Sequence, residues 1–155
     1  MPYIRAVGII IHDKKILLMH RQNDGRAYFV FPGGHKEAYE TLEEATVREV
    51  LEETSVSVSI KKLLYHHIYD DGGERFYFLC RYLEGEVKLG GPEQEHATEK
   101  NQYDPRWIPL SALPNTLVYP LEIRDWILKD IENGFQDTPR KECVIFAHLR
   151  QTLDS

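Results

Sequence analysis

Positive charge is scarce in this chain. Its 155 residues carry 19 Lys and Arg against 25 Asp and Glu, a formal net charge of −6. That balance argues against gripping the backbone of a nucleic-acid polymer, which draws on many Lys and Arg contacts. It leaves room for a small phosphorylated ligand whose charge a bound cation neutralises. Cysteine is scarce too. Cys80 and Cys143 are too few for a disulfide framework, and each lies in an apolar run, "FYFLCRY" and "ECVIFA", so two buried free thiols in a reducing cytoplasm are expected. Long apolar runs are missing: none approaches the roughly 18 residues that span a bilayer, so no membrane association is expected. The start, "MPYIRAVGIIIHDKK", meets a charge at Arg5 and is too short and too strand-like for a secretion signal. No repeat, low-complexity tract or shift in composition marks a second domain, and one domain over residues 1–155 is expected. What remains, 42% hydrophobic and 28% charged residues, is the composition of a soluble globular chain and not of a disordered one.

The period of the apolar residues gives the elements. "IRAVGIII" (Ile4–Ile11) and "KILLMHR" (Lys15–Arg21) are β-rich arms around a turn at "HDK". "NDG" (Asn23–Gly25) is a second turn, and "AYFVFP" (Ala27–Pro32) reads as a strand before Gly33–Gly34. A helix starts near Thr41, where "TLEE" forms a capping box with Glu44. Leu42, Thr46, Val47 and Val50 supply its apolar side. Val56, Val58 and Ile60 alternate as in a strand, and Asp70–Gly73 is the turn of a hairpin. Gly85–Gln102 is polar and reads as a loop. "PRWIPL" (Pro105–Leu110) is a short strand. Tyr119–Gly134 is a helix with Pro120 near its start, Gly134 at its end, and a stripe of Ile123, Ile127 and Ile131 joined by Trp126. The tail "ECVIFAHL" reads as a strand. Strands with two separated helices predict an α+β fold, a mixed β-sheet between helices in an α/β/α sandwich. His66 and His67 are adjacent, so on a strand they face opposite ways, one at the surface and one packed, and cannot chelate one ion. Trp107 and Trp126 read as core anchors.

"REVLEET" (Arg48–Thr54) places Glu49, Glu52 and Glu53 within an arc of about 100° on a helix, and no lysine lies between Lys36 and Lys61. Like charges at this spacing repel by roughly 0.2–0.5 kcal/mol per pair, which suggests a positive charge supplied from outside the chain. A hard divalent cation takes such oxygen ligands, and Gly33–Gly34 lets bare backbone come close enough to add a carbonyl. From Gly34 the pattern runs five residues to Glu40, then seven to Arg48-Glu49-Val50-Leu51-Glu52-Glu53-Thr54-Ser55-Val56. This resembles the Nudix box, with Ser55 where that family has glycine. The hairpin ending in "FPGG" and the later Trp-x-Pro-Leu strand and helix extend the resemblance over about residues 4–133, leaving the tail 135–155 outside it.

The resemblance implies a Nudix fold and a hydrolase that splits the pyrophosphate linkage of a nucleoside diphosphate joined to another group, by attack of water at phosphorus. It implies Mg²⁺, or Mn²⁺, held by the Gly33 carbonyl with Glu49, Glu52 and Glu53. It also implies that Arg48 steadies a neighbouring carboxylate, that Glu49 is the candidate base, and that Glu40 is structural. One of Glu93, Glu95 or Glu99 is a candidate further ligand. The partner implied is a small phosphorylated substrate, a nucleotide derivative, with a homodimer possible. The alternative is a non-hydrolytic domain that senses a nucleotide; the three retained carboxylates weigh against it.

Overall fold

The computed structural model describes residues 3–88 and 101–144. Its organising strand is β1 (Ile4–His12), which meets β2 (Lys15–Asn23) through a two-residue turn. Asp13 and Lys14 both take positive φ there, 53° and 62°, the geometry whose twist matches that of paired strands. The two strands pair only next to the turn, at Ile11–Ile16 and His12–Lys15. Farther out, β1 turns one edge to β4 (Gly33–His35), while β2 pairs from Met19 to Asn23 with β3 (Arg26–Val30) on one side and along its whole length with β7 (Asn101–Pro109) on the other. The hairpin is therefore a V, closed at the turn and open at Arg5 and Arg21. Pro32 breaks the run from β3 to β4 because it has no N–H for the ladder, but its carbonyl accepts a bond from Gly8 N at 2.9 Å.

On its other edge β1 runs parallel to β6 (Glu74–Glu84), which pairs with β5 (Ser57–Tyr69), and β5 pairs in parallel with β9 (Arg140–Val144). A two-residue strand, β8 (Val118–Tyr119), lies parallel to β3. The result is a curled mixed sheet with both faces covered. Side chains alternate across the pleat. Val7, Ile9, Ile16 and Leu18 pack on one face with Ile123 and Ile127 of α2 (Leu121–Asp130). Ile10 and Leu17 pack on the other with Val50 of α1 (Leu42–Thr54) and with Val56, Val58 and Phe78. Each such Ile or Leu contributes about 1.5–3 kcal/mol on full burial. The sheet between helices is the expected α+β architecture.

Several elements differ from the sequence expectation for identifiable reasons. Strand β7 begins at Asn101, inside the expected Gly85–Gln102 loop, and tolerates Pro105 and Pro109 because among the described residues it pairs with β2 alone. Leu110 starts a 3₁₀ turn (Leu110–Asn115). Tyr119 belongs to β8, so α2 starts two residues later than the pattern suggested; it continues through a 3₁₀ turn to Gly134, whose φ of 68° ends it. Cys80 is buried as expected, but Cys143 is exposed. It lies on β9, the outermost strand of its side of the sheet, and points away from the core, which corrects the reading of two buried thiols. His67 is fully buried and His66 pairs with Glu74 at 2.7 Å. Asp130 is fully buried at the end of α2, where it accepts bonds from Arg140 (2.6 and 2.9 Å) and the Tyr65 hydroxyl (2.9 Å), tying the helix to β9 and β5. Among the described residues no helix is long and apolar enough to cross a membrane. Glu93, Glu95, Glu99 and residues 145–155 lie outside the described residues.

Candidate active site

Helix α1 owes its placement to its two ends. Thr41 accepts from Glu44 N (3.1 Å) and Glu44 accepts from Thr41 N (2.8 Å), closing the capping box. At the other end Ser55 takes φ 67°, ψ 18°, the left-handed cap usually left to glycine, and its hydroxyl donates to Lys88 O at 3.2 Å. Between these caps the helix rests on β1 and β4. A Cβ on Gly34 would fall 2.5 Å from Glu49 Cδ, and one on Gly33 would fall 2.8 Å from Val7 Cα. Only glycine permits that approach, so the pair brings bare backbone up to the acidic face.

Arg48 organises the carboxylates. Its Nε and Nη2 donate to Glu40 at 3.0 and 2.6 Å, and Nη2 also reaches His35 O at 3.0 Å. Its Nη1 donates to both Glu49 (2.9 Å) and Glu52 (3.2 Å). Glu53 turns the other way and accepts from Gly33 N at 3.1 Å. Glu40, 8% exposed, also accepts from Glu37 N at 2.8 Å. The Arg48 hydrogen bonds hold its pKa down at about 2. Glu49 is shifted the other way: burial pushes its carboxyl up, and Arg48 offsets that only in part. Thus Arg48 gathers Glu49 and Glu52, while Glu53 stands with Gly33. Among the described residues, the group of three acid or imidazole ligands mutually within 4.8 Å is elsewhere, at His67, Glu122 and Glu142. Burial holds His67 at about 4, so its ring is neutral near neutral pH. Sequence reading did not join these three, because the register of His67 with Glu142 is set by the parallel β5–β9 pairing.

The open mouth of the V leads away from this face. A cleft of about 200 Å³ is lined by Arg5, Arg21 and Arg75, by Val7, Val30 and Phe31, and by Tyr28, Tyr77, Tyr119 and Pro120. A smaller lobe of about 50 Å³ shares Arg5, Arg21, Val30 and Phe31 with it and reaches Gly33 and Glu53. The cleft is thus continuous with the acidic face. Its arginines come from β1, β2 and β6, distant in sequence, which is why no local pattern announced them.

A profile of the NUDIX domain matches residues 2–128. Among curated proteins, an ADP-ribose pyrophosphatase of Methanocaldococcus jannaschii is 38% identical over 100 residues, covering 61% of this chain and 59% of that one. A phosphatase NudJ of Escherichia coli is 33% identical over 66 residues, 43% of each chain. The matched stretches therefore span 59% and 43% of the lengths of these two curated relatives. A crystal structure of a NUDIX hydrolase from Nitrosomonas europaea superposes with a TM-score of 0.70 at 22% identity, over 94% of this chain and 78% of that one, a likeness of fold.

Proposed function

This chain belongs to the Nudix family, and from that premise we propose that it is a divalent-metal-dependent pyrophosphohydrolase acting on a nucleoside diphosphate linked to another group. One observation carries the reading: Arg48 gathers Glu49 and Glu52 on the helix face where Glu53 meets Gly33, at the end of a cleft. The donor set fits a hard cation. Three carboxylates and the Gly33 carbonyl are oxygen ligands, and burial leaves Glu49 short of compensating positive charge. Gly33, Glu49, Glu52 and Glu53 would hold Mg²⁺ or Mn²⁺. When bound, the ion supplies charge neutralisation at the phosphate oxygens and makes water more acidic.

The chain's own groups do the rest. Arg48 is a positioning residue: anchored by Glu40 and His35 O, it fixes Glu49 and Glu52 and does not itself face the cleft lining. Glu49 is the carboxylate we assign to take the proton of the attacking water, since it stands on the acidic face beside Gly34 and is steadied there by Arg48. The water oxygen bonds to one phosphorus as the bridging P–O bond breaks, giving two phosphate monoesters and a proton. The names carried by the relatives, a pyrophosphatase and a phosphatase, support a small nucleotide derivative as substrate.

The test is a hydrolysis screen with Mg²⁺ or Mn²⁺ over ADP-ribose, nucleoside triphosphates, nucleotide sugars and dinucleoside polyphosphates. Turnover of at least one class, abolished by EDTA, is the expected result. Nucleotide binding without turnover anywhere in the panel would refute it and leave the domain as a sensor.

A further inference from the structure

Arg5 and Arg75 stand directly opposite one another on the neighbouring strands β1 and β6, and both line the cleft. Like charges placed this way on one face of a sheet repel. Burial adds to the cost: it is the chief cause pulling the Arg5 pKa down, followed by the charge of Arg75, and Glu53, Tyr77 and Glu49 offset this only in part. Among the described residues, Arg75 has no carboxylate among the chief groups that hold up its charge. Its favourable partners are the phenols of Tyr77, Tyr69 and Tyr3, and its Nε is buried without a hydrogen-bond partner. The next residue across the sheet, His67, is neutral. Two guanidiniums are thus held side by side, facing an open cleft, in a chain whose net charge is negative.

We propose that Arg5 and Arg75 bind a phosphomonoester that the substrate carries apart from its pyrophosphate bridge. The division of the cleft separates the two phosphate sites. Gly33 and Glu53 line the small lobe only, whereas Arg75, Tyr77, Tyr28 and Tyr119 line the large lobe only, and Arg5 lines both. A pyrophosphate engaged at Glu53 therefore leaves Arg75 for a second anion. A monoester fits that role, because its charge of about −1.5 to −2 at neutral pH meets two guanidiniums whose forks match phosphate oxygens. Tyr28 and Tyr119, edge to face with centroids 5.5 Å apart, offer ring surface beside it for the sugar or base. The substrate class is then a nucleoside diphosphate derivative with a third, remote phosphate, on either the nucleoside ribose or the linked group. This assignment rests on the pyrophosphohydrolase reading for its chemistry but not for its binding.

Three compounds that differ only in that phosphate test it: ADP-ribose, ADP-ribose 2′-phosphate and ADP-ribose 1″-phosphate. The wild-type protein should show kcat/KM higher by roughly tenfold or more for one of the two phosphorylated compounds, the scale of one charge-assisted hydrogen bond. Which of the two is preferred identifies the phosphate-bearing side. Arg75→Met should lose roughly tenfold more on that compound than on ADP-ribose, with Arg75→Lys intermediate because it keeps charge without the fork. Calorimetric binding of the same three compounds to wild-type protein in EDTA reads the arginine pair with hydrolysis switched off, and does not depend on any variant folding. Tighter binding of a phosphorylated compound without turnover would refute the hydrolase and uphold the arginine site. ADP-ribose hydrolysed as well as both phosphorylated compounds, with equal or undetectable binding in EDTA, would overturn the arginine site and leave the hydrolase standing. Equal losses on all three compounds in Arg75→Met would likewise overturn it, by assigning Arg75 to the pyrophosphate itself.

Discussion

Replacing Glu40 by glutamine should weaken the fold in a way that fades as the solution is acidified. Glu40 is 8% exposed and meets two nitrogens of Arg48, at 2.6 and 3.0 Å. Glutamine keeps the shape but ends the ion pair. Because the carboxyl titrates at about 2 in the native protein, against 4.5 for the free group, its charge stabilises the native state above the unfolded value. That contribution is lost as pH falls from about 4.5 towards 2. Linkage gives on the order of 3 kcal/mol at about pH 7 and about 2 kcal/mol at about pH 3.5. Urea denaturation of the wild type and Glu40→Gln at both pH values measures it. The other carboxyls titrate in both proteins and cancel in the difference. The gap should therefore shrink by about 1 kcal/mol or more on acidification. A gap of equal size at both pH values would mean that Glu40 acts by packing alone, and the clamp on Arg48 would have to be reconsidered.

Glu52→Gln and Glu53→Gln should each lower turnover by about 100-fold or more while the apo fold melts no lower, whereas Glu43→Gln, exposed on the same helix, should stay near wild type; wild-type rates for the first two would remove them from the site. Millimolar Mg²⁺ or Mn²⁺ should raise the melting temperature beyond a monovalent salt of matched ionic strength, and equal shifts would indicate charge screening alone. Ser55→Gly relieves left-handed strain of about 1 kcal/mol but loses the bond to Lys88 O and frees the unfolded chain, so chemical denaturation should place it within about 0.5 kcal/mol of wild type, not far above it. Asp130→Ala strips Arg140 and Tyr65 of a fully buried partner, and a loss of about 3–5 kcal/mol in the same assay is expected; a loss under about 1 kcal/mol would show that water replaces the carboxylate.

Local chemistry made α1 readable from sequence. Its capping box, its apolar side and its unusual terminal serine all lie within a few residues of where they act. Strands β4 and β8 were not readable, since Gly33–His35 has no strand propensity of its own and is extended because the edge of β1 holds it. The three glutamates could be placed on one helix face, but not given their partners: Glu53 reaches Gly33 N only because β4 docks beside α1. Arg5 and Arg75 become neighbours through a parallel pairing across some seventy positions of chain, and no periodicity reports that. Cys143 misled for the opposite reason, because its apolar neighbours suggested a core position and edge placement decided otherwise.

The V of β1 and β2 also bears on how the chain must fold. Two adjacent strands joined by a tight turn zip quickly, on the microsecond scale of hairpins, and zipping to the ends would seal the mouth. In the native sheet that edge is taken by another segment: Gly33–His35 pairs with Arg5, Ala6 and Val7 and keeps β2 from them. The opposite edge waits for β6, whose pairing closes a long loop and is slow for that reason. A kinetic trap of this molecule would therefore be a hairpin that closed too completely, with the arginines of its mouth driven together and no cleft between its arms.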